Sequence, residues 1–379
     1  MSQSEPMKTA TDLIYLVSCA VNKLTPDARR CAEMDDAAVY SLACRHMLSA
    51  AAACALEKVM PLKQHWISAM GNSKRRLVIF QAERTRILKE LDERGIWYLP
   101  LKGIILKDMY PKAAMREMSD NDILCDASKM KEVRAVMKSL GFTCTEFGIM
   151  HHDVYCKKLV CFEMHRTLFN NVEHPEAFAY YRNIKERLIK DADNRCGYHM
   201  KDEDFYVYCI NHMHKHFSVA GTGLRSLLDI YIINKAKEDS LDRGYISGEL
   251  DRSGIREYEH KTRRLAEKVF SLQPLTESDK KELAFYVNSG THGKIENLVV
   301  KKLENDDSKK TKRLYLLRRI FPNSDYLELY YPTVHRHRVL YPFLVIYRPF
   351  KGLAKKRRSI SAELKTLKEY RKTDDNADS

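Results

Sequence analysis

Two carboxylates, Asp120 and Asp122, open a short run that reads as a β-strand up to Cys125. Side chains two apart on a strand face the same way. The pair therefore forms a pincer of oxygens suited to a hard divalent cation such as magnesium. Without a cation the two charges repel, so the arrangement is unfavourable unless something fills the gap. A third acid, Glu163, lies in another strand-like run, Val160 to His165. Alternation there puts Cys161, Glu163 and His165 on one face and Val160, Phe162 and Met164 on the other. If the apolar set enters a core, Glu163 turns toward the Asp120–Asp122 face of a neighbouring strand. Three carboxylates on adjacent strands are the donor set of metal-assisted phosphoryl transfer, with Mg2+ or Mn2+ as the ion. In the metal-free protein such a cluster carries like charges. At least one of the three pKa values should then rise, and loss of Asp122 should leave the metal-free fold as stable as before or more so.

A phosphate contact is expected upstream. Lys102-Gly103 follows a strand-like run, Ile96 to Leu101, and precedes a helix-like run, Ile104 to Met109. A helix N-terminus offers free N–H groups and a favourable dipole to phosphate. Gly103 allows close backbone approach, Lys102 adds charge, and Arg116 sits where it could clamp the same polyphosphate. Each feature alone is weak: a DxD on a strand edge is more often solvated surface than a metal site, and Lys-Gly is a common turn. The order carries the weight: strand, phosphate-type turn, helix, strand with two acids, helix, strand with a third.

The elements that must position these residues follow from periodicity. Residues 10–60 read as helices, with Leu13, Leu16, Val17 and Ala20 at helical spacing and an alanine run at 50–53. A long helix spans about 74–94 and ends at Gly95. The strand-helix order then runs to His165. Helix 128–140, capped by Asp126 and Ser128, closes at Gly141, and a hairpin turns through Lys157-Lys158. After Pro175 the chain returns to helix, most clearly at 204–217 and 224–237. The expected class is α+β: a small mixed sheet flanked by helical N- and C-terminal regions. The expected divisions are 1–93 helical, 94–172 α/β core, 173–300 helical, and 301–379 a basic aromatic tail.

Composition bounds the rest. With 379 residues, 44% hydrophobic and 31% charged, the chain is long enough for two or three packed cores and is not a disordered composition. Of the net charge of +14, ten charges come from residues 301–379, which hold 20 basic and 10 acidic residues. That excess suits an anionic partner, nucleic acid or an anionic membrane, or serves only to solubilise. The run Lys355-Lys356-Arg357-Arg358, with Phe343, Leu344, Ile346, Tyr347 and Phe350 before it, is the membrane-facing candidate. No apolar run approaches the roughly 18 residues that span a bilayer. The ten cysteines form no CxxC pair, and Met1 to Thr11 has no signal-peptide pattern. They read as small packing residues in a reducing cytoplasm.

Three stretches resemble a known family: "WYLPLKGIIL" (97–106), "MYPKAAMREMSDNDILC" (109–125) and "FEMHRTL" (162–168). They are similar to the uncharacterised nucleotidyltransferases, relatives of the polymerase-beta-like nucleotidyltransferases. "DLIYLVSCAVN" (12–22), "NHMHKHF" with "GLRSLLDIYII" (211–233) and "IFPNSDYLELYYP" (320–332) look like the same family. The resemblance therefore extends from about 12 to 348. It implies a mixed sheet with flanking helical domains, metal carboxylates at Asp120, Asp122 and Glu163, and an NTP such as ATP as substrate. Two positions depart from the broader pattern. Lys102-Gly103 replaces a Gly-Ser turn, and Asn121 stands where an apolar residue is usual, with slightly weaker packing expected. The resemblance does not supply the acceptor, which could be a small molecule, sugar, protein or nucleic acid.

His212 and His216 share a helical face that His214 does not, and no Glu of an HExxH pattern lies between them. A core or substrate-facing role outweighs a zinc site. Arg225 and Asp229, four apart, read as an ion pair. His165, His212, His216 and Arg225 are the acceptor-side residues if these helices face the cleft. Two other functions fit the residues: a non-catalytic nucleotide-binding protein on the same fold, and an adaptor acting through its basic tail, whose binding would collapse with salt.

Overall fold

The protein is described from a computed structural model covering residues 4–148, 150–291, 293, 297, 299, 317–355, 363, 366 and 367. Five strands form the central mixed sheet: β1 (Tyr98–Pro100), β2 (Asn121–Cys125), β3 (Thr143–Glu146), β4 (His152–Lys157) and β5 (Val160–His165). Their order is β1-β2-β5-β4-β3. Only β2 and β5 run parallel; the other neighbours are antiparallel. The α+β class expected from the strand-helix order is the one observed. Edge strand β3 was not foreseen. It reads Thr-Cys-Thr-Glu and is mostly exposed, so it carries no apolar alternation.

The helices, in chain order, are α1 (Ser4–Val21), α2 (Ala28–Ala32), α3 (Asp36–His46), α4 (Ser49–Leu56), α5 (Gln64–Glu93), α6 (Gly103–Leu106), α7 (Met130–Ser139), α8 (Pro175–Tyr181), α9 (Asp202–Val219), α10 (Leu224–Ala236), α11 (Arg243–Arg252), α12 (Arg256–Phe270) and α13 (Glu277–Ser289). Beyond them lie Ser324–Tyr330, Pro332–Arg336 and Tyr341–Lys355. In the tail, Phe343, Ile346 and Tyr347 are exposed. Lys356, Arg357 and Arg358 of the expected basic run lie outside the described residues. No helix among the described residues is long and apolar enough to cross a membrane.

Side-chain alternation divides the sheet into two faces. On one, Ile123, Cys125, Tyr155, Val160, Phe162 and Met164 join Phe80, Ile87 and Leu91 of α5 and Val133, Val136 and Met137 of α7 in a buried cluster. Phe162 meets Phe80 and Phe142 edge-on, with centroids 5.7 and 5.5 Å apart. Asn121 belongs to this face and is fully buried. Its Oδ1 accepts from Arg84 Nη1 at 2.9 Å, tying α5 to the strand beneath. The other face carries the acids, with Leu124 clustered among Phe205, Tyr206 and Tyr208 of α9 and Ile230 and Ile233 of α10.

A third cluster joins α1, α3 and α4 to α10, α12 and α13. Helices far apart in the chain thus share one core, and Asn22 Nδ2 donates to Phe270 O across it at 2.8 Å. The small residues Ala50 to Ala55 of α4 are all buried there, as close helix packing requires.

Candidate active site

The parallel pairing of β2 with β5 sets Asp122 directly opposite Glu163 and Leu124 opposite His165. On the other side of β5, His152 lies opposite His165 and Val154 opposite Glu163. One sheet face therefore carries Asp122, Glu163, His165 and His152 side by side. These residues form the floor of a cleft of about 390 Å³ roofed by α9 and α10. All ten residues singled out in the sequence line this cleft: Lys102, Gly103, Arg116, Asp120, Asp122, Glu163, His165, His212, His216 and Arg225.

The acids are not equivalent. Asp122 is 4% exposed; its Oδ1 accepts from Lys102 Nζ at 2.8 Å and sits 2.9 Å from His165 Nε2. Burial alone would raise its pKa, but Lys102 and His165 hold the carboxyl well below the usual range. Asp120 is pushed up instead, by burial and by the charge of Asp122. Glu163 is lowered against its own burial through His165, whose Nε2 is 3.5 Å from Glu163 Oε2. Crowding thus raises one carboxyl, Asp120, while Asp122 is stabilised by its partners. Ligand atoms of Asp122, Glu163 and His165 lie within 4.8 Å of one another. This compact group contains His165, where the sequence pointed to Asp120. Asp120 lines the same cleft and feels Asp122, Glu163, Lys102 and Arg225 electrostatically. Such a convergence of oxygens, with one carboxyl raised by its neighbours, fits a divalent cation.

The Lys102–Gly103 turn is strained. Lys102 has φ 44° and ψ −113°, a conformation disfavoured for any residue with a Cβ. The helix it opens, α6, is only four residues long, and the N–H groups of Ile104, Ile105 and Leu106 already donate to the Leu101 and Lys102 carbonyls. The backbone anion cradle is therefore smaller than expected, and the Lys102 charge matters more. A Cβ at position 103 would lie 2.5 Å from Arg116 Nη1, so only glycine fits beneath that guanidinium.

Arg116 is held firmly. Its Nε and Nη2 donate to the two oxygens of Asp229 at 2.9 and 2.8 Å, and Tyr110 Oη adds a bond of 2.6 Å to Asp229 Oδ1. The expected Arg225–Asp229 pair is not formed, because Asp229 is taken by Arg116 from another element. Arg225 Nη1 donates instead to the Glu117 carbonyl at 2.9 Å. Arg116 still presents Nη1 toward the Lys102–Gly103 turn.

On the roof, His212 and His216 face each other with Nε2 atoms 3.1 Å apart, and burial followed by the nearby Lys102 lowers both pKa values, that of His216 to about 3. His214 turns away and packs on Tyr258. Sequence reasoning missed three cleft residues: Lys215, His151 and His152. The signals were present: Lys215 follows His212 by three in the same helix, and His152, with His151 just before it, opens the strand paired with the Glu163 strand. Lys215 is brought down to about 8 by burial and then by Lys102. Toward the hairpin turn, Cys156 and Cys161 face each other across β4 and β5 and form a disulfide, with Cα atoms 4.2 Å apart. This corrects the reading of all ten cysteines as packing thiols; hairpin register brings this pair within bonding range.

The family model described as uncharacterised nucleotidyltransferase matches residues 32–271. The chain belongs to this family. The match covers the whole sheet, the cleft floor and α9–α12, while residues 12–22 and 320–332 lie outside it. Membership supports general nucleotidyl transfer and implies an NTP substrate. No curated protein and no solved structure matches the chain.

Proposed function

We propose that this nucleotidyltransferase moves a nucleoside monophosphate from an NTP to an acceptor hydroxyl or phosphate, with release of pyrophosphate, and that it requires Mg2+ or Mn2+. The observation that carries this reading is the register of β2 on β5, which puts Asp122 beside Glu163 under a cleft also reached by Asp120 and Lys102. Asp120, Asp122 and Glu163 hold the ion. Bound there, it supplies charge neutralisation at the reacting phosphate. Lys102, the Gly103 backbone and Arg116 Nη1 hold and orient the triphosphate, and Arg116 is preorganised because Asp229 has already fixed its plane. His165, His212, His216 and Arg225 face the acceptor. Burial keeps the two roof histidines uncharged, so they present neutral rings toward the acceptor and add no charge of their own to that wall of the cleft.

Lys102 leaves Asp122 for the phosphates when ion and nucleotide enter, and its contact persists in ground and transition states. Lys102→Ala should therefore raise KM for NTP more than it lowers kcat. Steady-state kinetics check this; an unchanged KM with a collapsed kcat would assign Lys102 to the chemical step instead.

Divalent ions bind the folded site and not the unfolded chain. Saturation at a hundred times Kd should then add about 2.7 kcal/mol of stability. Melting curves should rise with Mg2+ or Mn2+, rise further with NTP, and lose most of the metal response in Asp120→Ala. An equal response in that variant would remove Asp120 from the ion-binding set.

A further inference from the structure

Histidines 151 and 152 have no part in the transfer chemistry above, yet they stand beside it. One ring nitrogen from each of His151, His152 and His165 lies within 4.8 Å of the other two. The ring centroids are 4.9 Å apart for 151–152, 5.4 Å for 151–165 and 4.9 Å for 152–165. His151 and His165 are each 3% exposed. Each Nε2 has a neighbour: Asp122 Oδ1 at 2.9 Å for His165, Glu163 Oε2 at 3.7 Å for His152, Lys215 Nζ at 3.4 Å for His151. Each Nδ1 is buried without a hydrogen-bond partner among the described residues.

Leaving a buried polar atom unpaired is unfavourable, and three histidines so placed, each with one such nitrogen, offer donors to a common partner. Imidazole ligates a metal in its uncharged form, through a ring nitrogen that carries no proton. A ligating histidine usually donates its other N–H to a carboxylate, and the Nε2 of His165 is already placed on Asp122 in that manner. Imidazole suits zinc, cobalt, nickel and copper, whereas magnesium takes oxygen donors.

We propose that His151, His152 and His165 form a nitrogen-rich site for a divalent transition ion of the zinc class, beside the carboxylate site and sharing its His165 edge. Glu163 is the adjacent anion that offsets the added charge, with Oε2 3.5 Å from His165 Nε2. Three protein ligands at a cleft wall match the pattern of an ion with a position open to ligand, and differ from a closed four-ligand structural site.

The test uses the tag-free full chain, stripped with chelator, and measures Co2+ and Zn2+ binding by equilibrium dialysis and visible absorption. One Co2+ per chain is expected, with the absorption bands of a low-coordinate nitrogen site, displaced by one equivalent of Zn2+ and not by excess Mg2+. The His151→Gln/His152→Gln double variant should bind at least roughly 10–100-fold more weakly, since even loss of an outer partner costs that much. Asp120→Asn should keep the ion. If the double variant does not fold, H152Q, at the more open position, carries the same expectation. Wild-type protein without stoichiometric Co2+ or Zn2+ binding would overturn the site. So would an ion lost in Asp120→Asn but kept in the histidine variants, which would place it on the carboxylates. Intact Co2+ binding in a protein that turns over no NTP would support this site and remove the transfer reading alone.

Discussion

Asp122→Ala should abolish nucleotidyl transfer, with a loss of at least about 10²–10³-fold in kcat, the range for removing one preorganised electrostatic contact. Asp122 is where the site converges: Lys102 and His165 both rest on its Oδ1, and Glu163 lies opposite it in the β2–β5 register. The same contacts set the sign of the effect on stability. The sequence suggested that removing one of three repelling acids would leave the metal-free fold as stable or more so. The contacts of Asp122 argue for the opposite sign, because a lysine and a histidine hold its carboxylate. Its loss leaves the Lys102 ammonium and the 3%-exposed His165 without their shared acceptor, so the metal-free variant should melt below wild type. Asp122→Asn keeps the shape and separates the two effects: turnover should stay absent while most of the stability returns. Kinetics and thermal melts on both variants check this, and a folded Asp122→Ala with wild-type turnover would end the site assignment.

The second large effect is structural. Asp229→Ala strands the Arg116 guanidinium at 8% exposure, with Tyr110 also deprived of its acceptor. Breaking a buried pair by removing one partner typically destabilises by about 3–5 kcal/mol. Replacing both partners with apolar residues is often neutral or stabilising, so Arg116→Met/Asp229→Leu should recover most of the loss. Denaturant unfolding of the three variants measures this. The double variant also isolates the nucleotide role of Arg116: a folded protein with a raised KM for NTP is expected. Full stability in Asp229→Ala would mean that Arg116 finds another partner or reaches water.

The acid-bearing strands were legible because alternation is a local signal. Val160, Phe162 and Met164 had to face a core, which turned Glu163 and His165 the other way, and the DxD of β2 obeyed the same rule. Helix α9 was legible by the same logic at a different period, which put His212 and His216 together and His214 apart. The Arg116–Asp229 pair was not legible, since its partners are far apart in sequence and Arg225 is nearer to Asp229. Nor was the strain at Lys102, because no residue type signals a positive φ there. The Cys156–Cys161 bond needed the hairpin register, and the shared core of α1 with α12 depends on packing between distant segments. His151 and His152 were overlooked because they stand at and just before the start of β4, where no alternation marks which way a side chain faces.

Transfer of a nucleoside monophosphate is tested most directly with α-labelled NTP. The protein is incubated with each NTP, Mg2+ or Mn2+ and a cell extract as the source of acceptor, while label incorporation and pyrophosphate are followed together. Metal-dependent labelling of a discrete acceptor, with matching pyrophosphate release and neither event in Asp122→Ala, is the expected result. Nucleotide binding with no label transferred and no pyrophosphate formed, or equal labelling by Asp122→Ala, would contradict it.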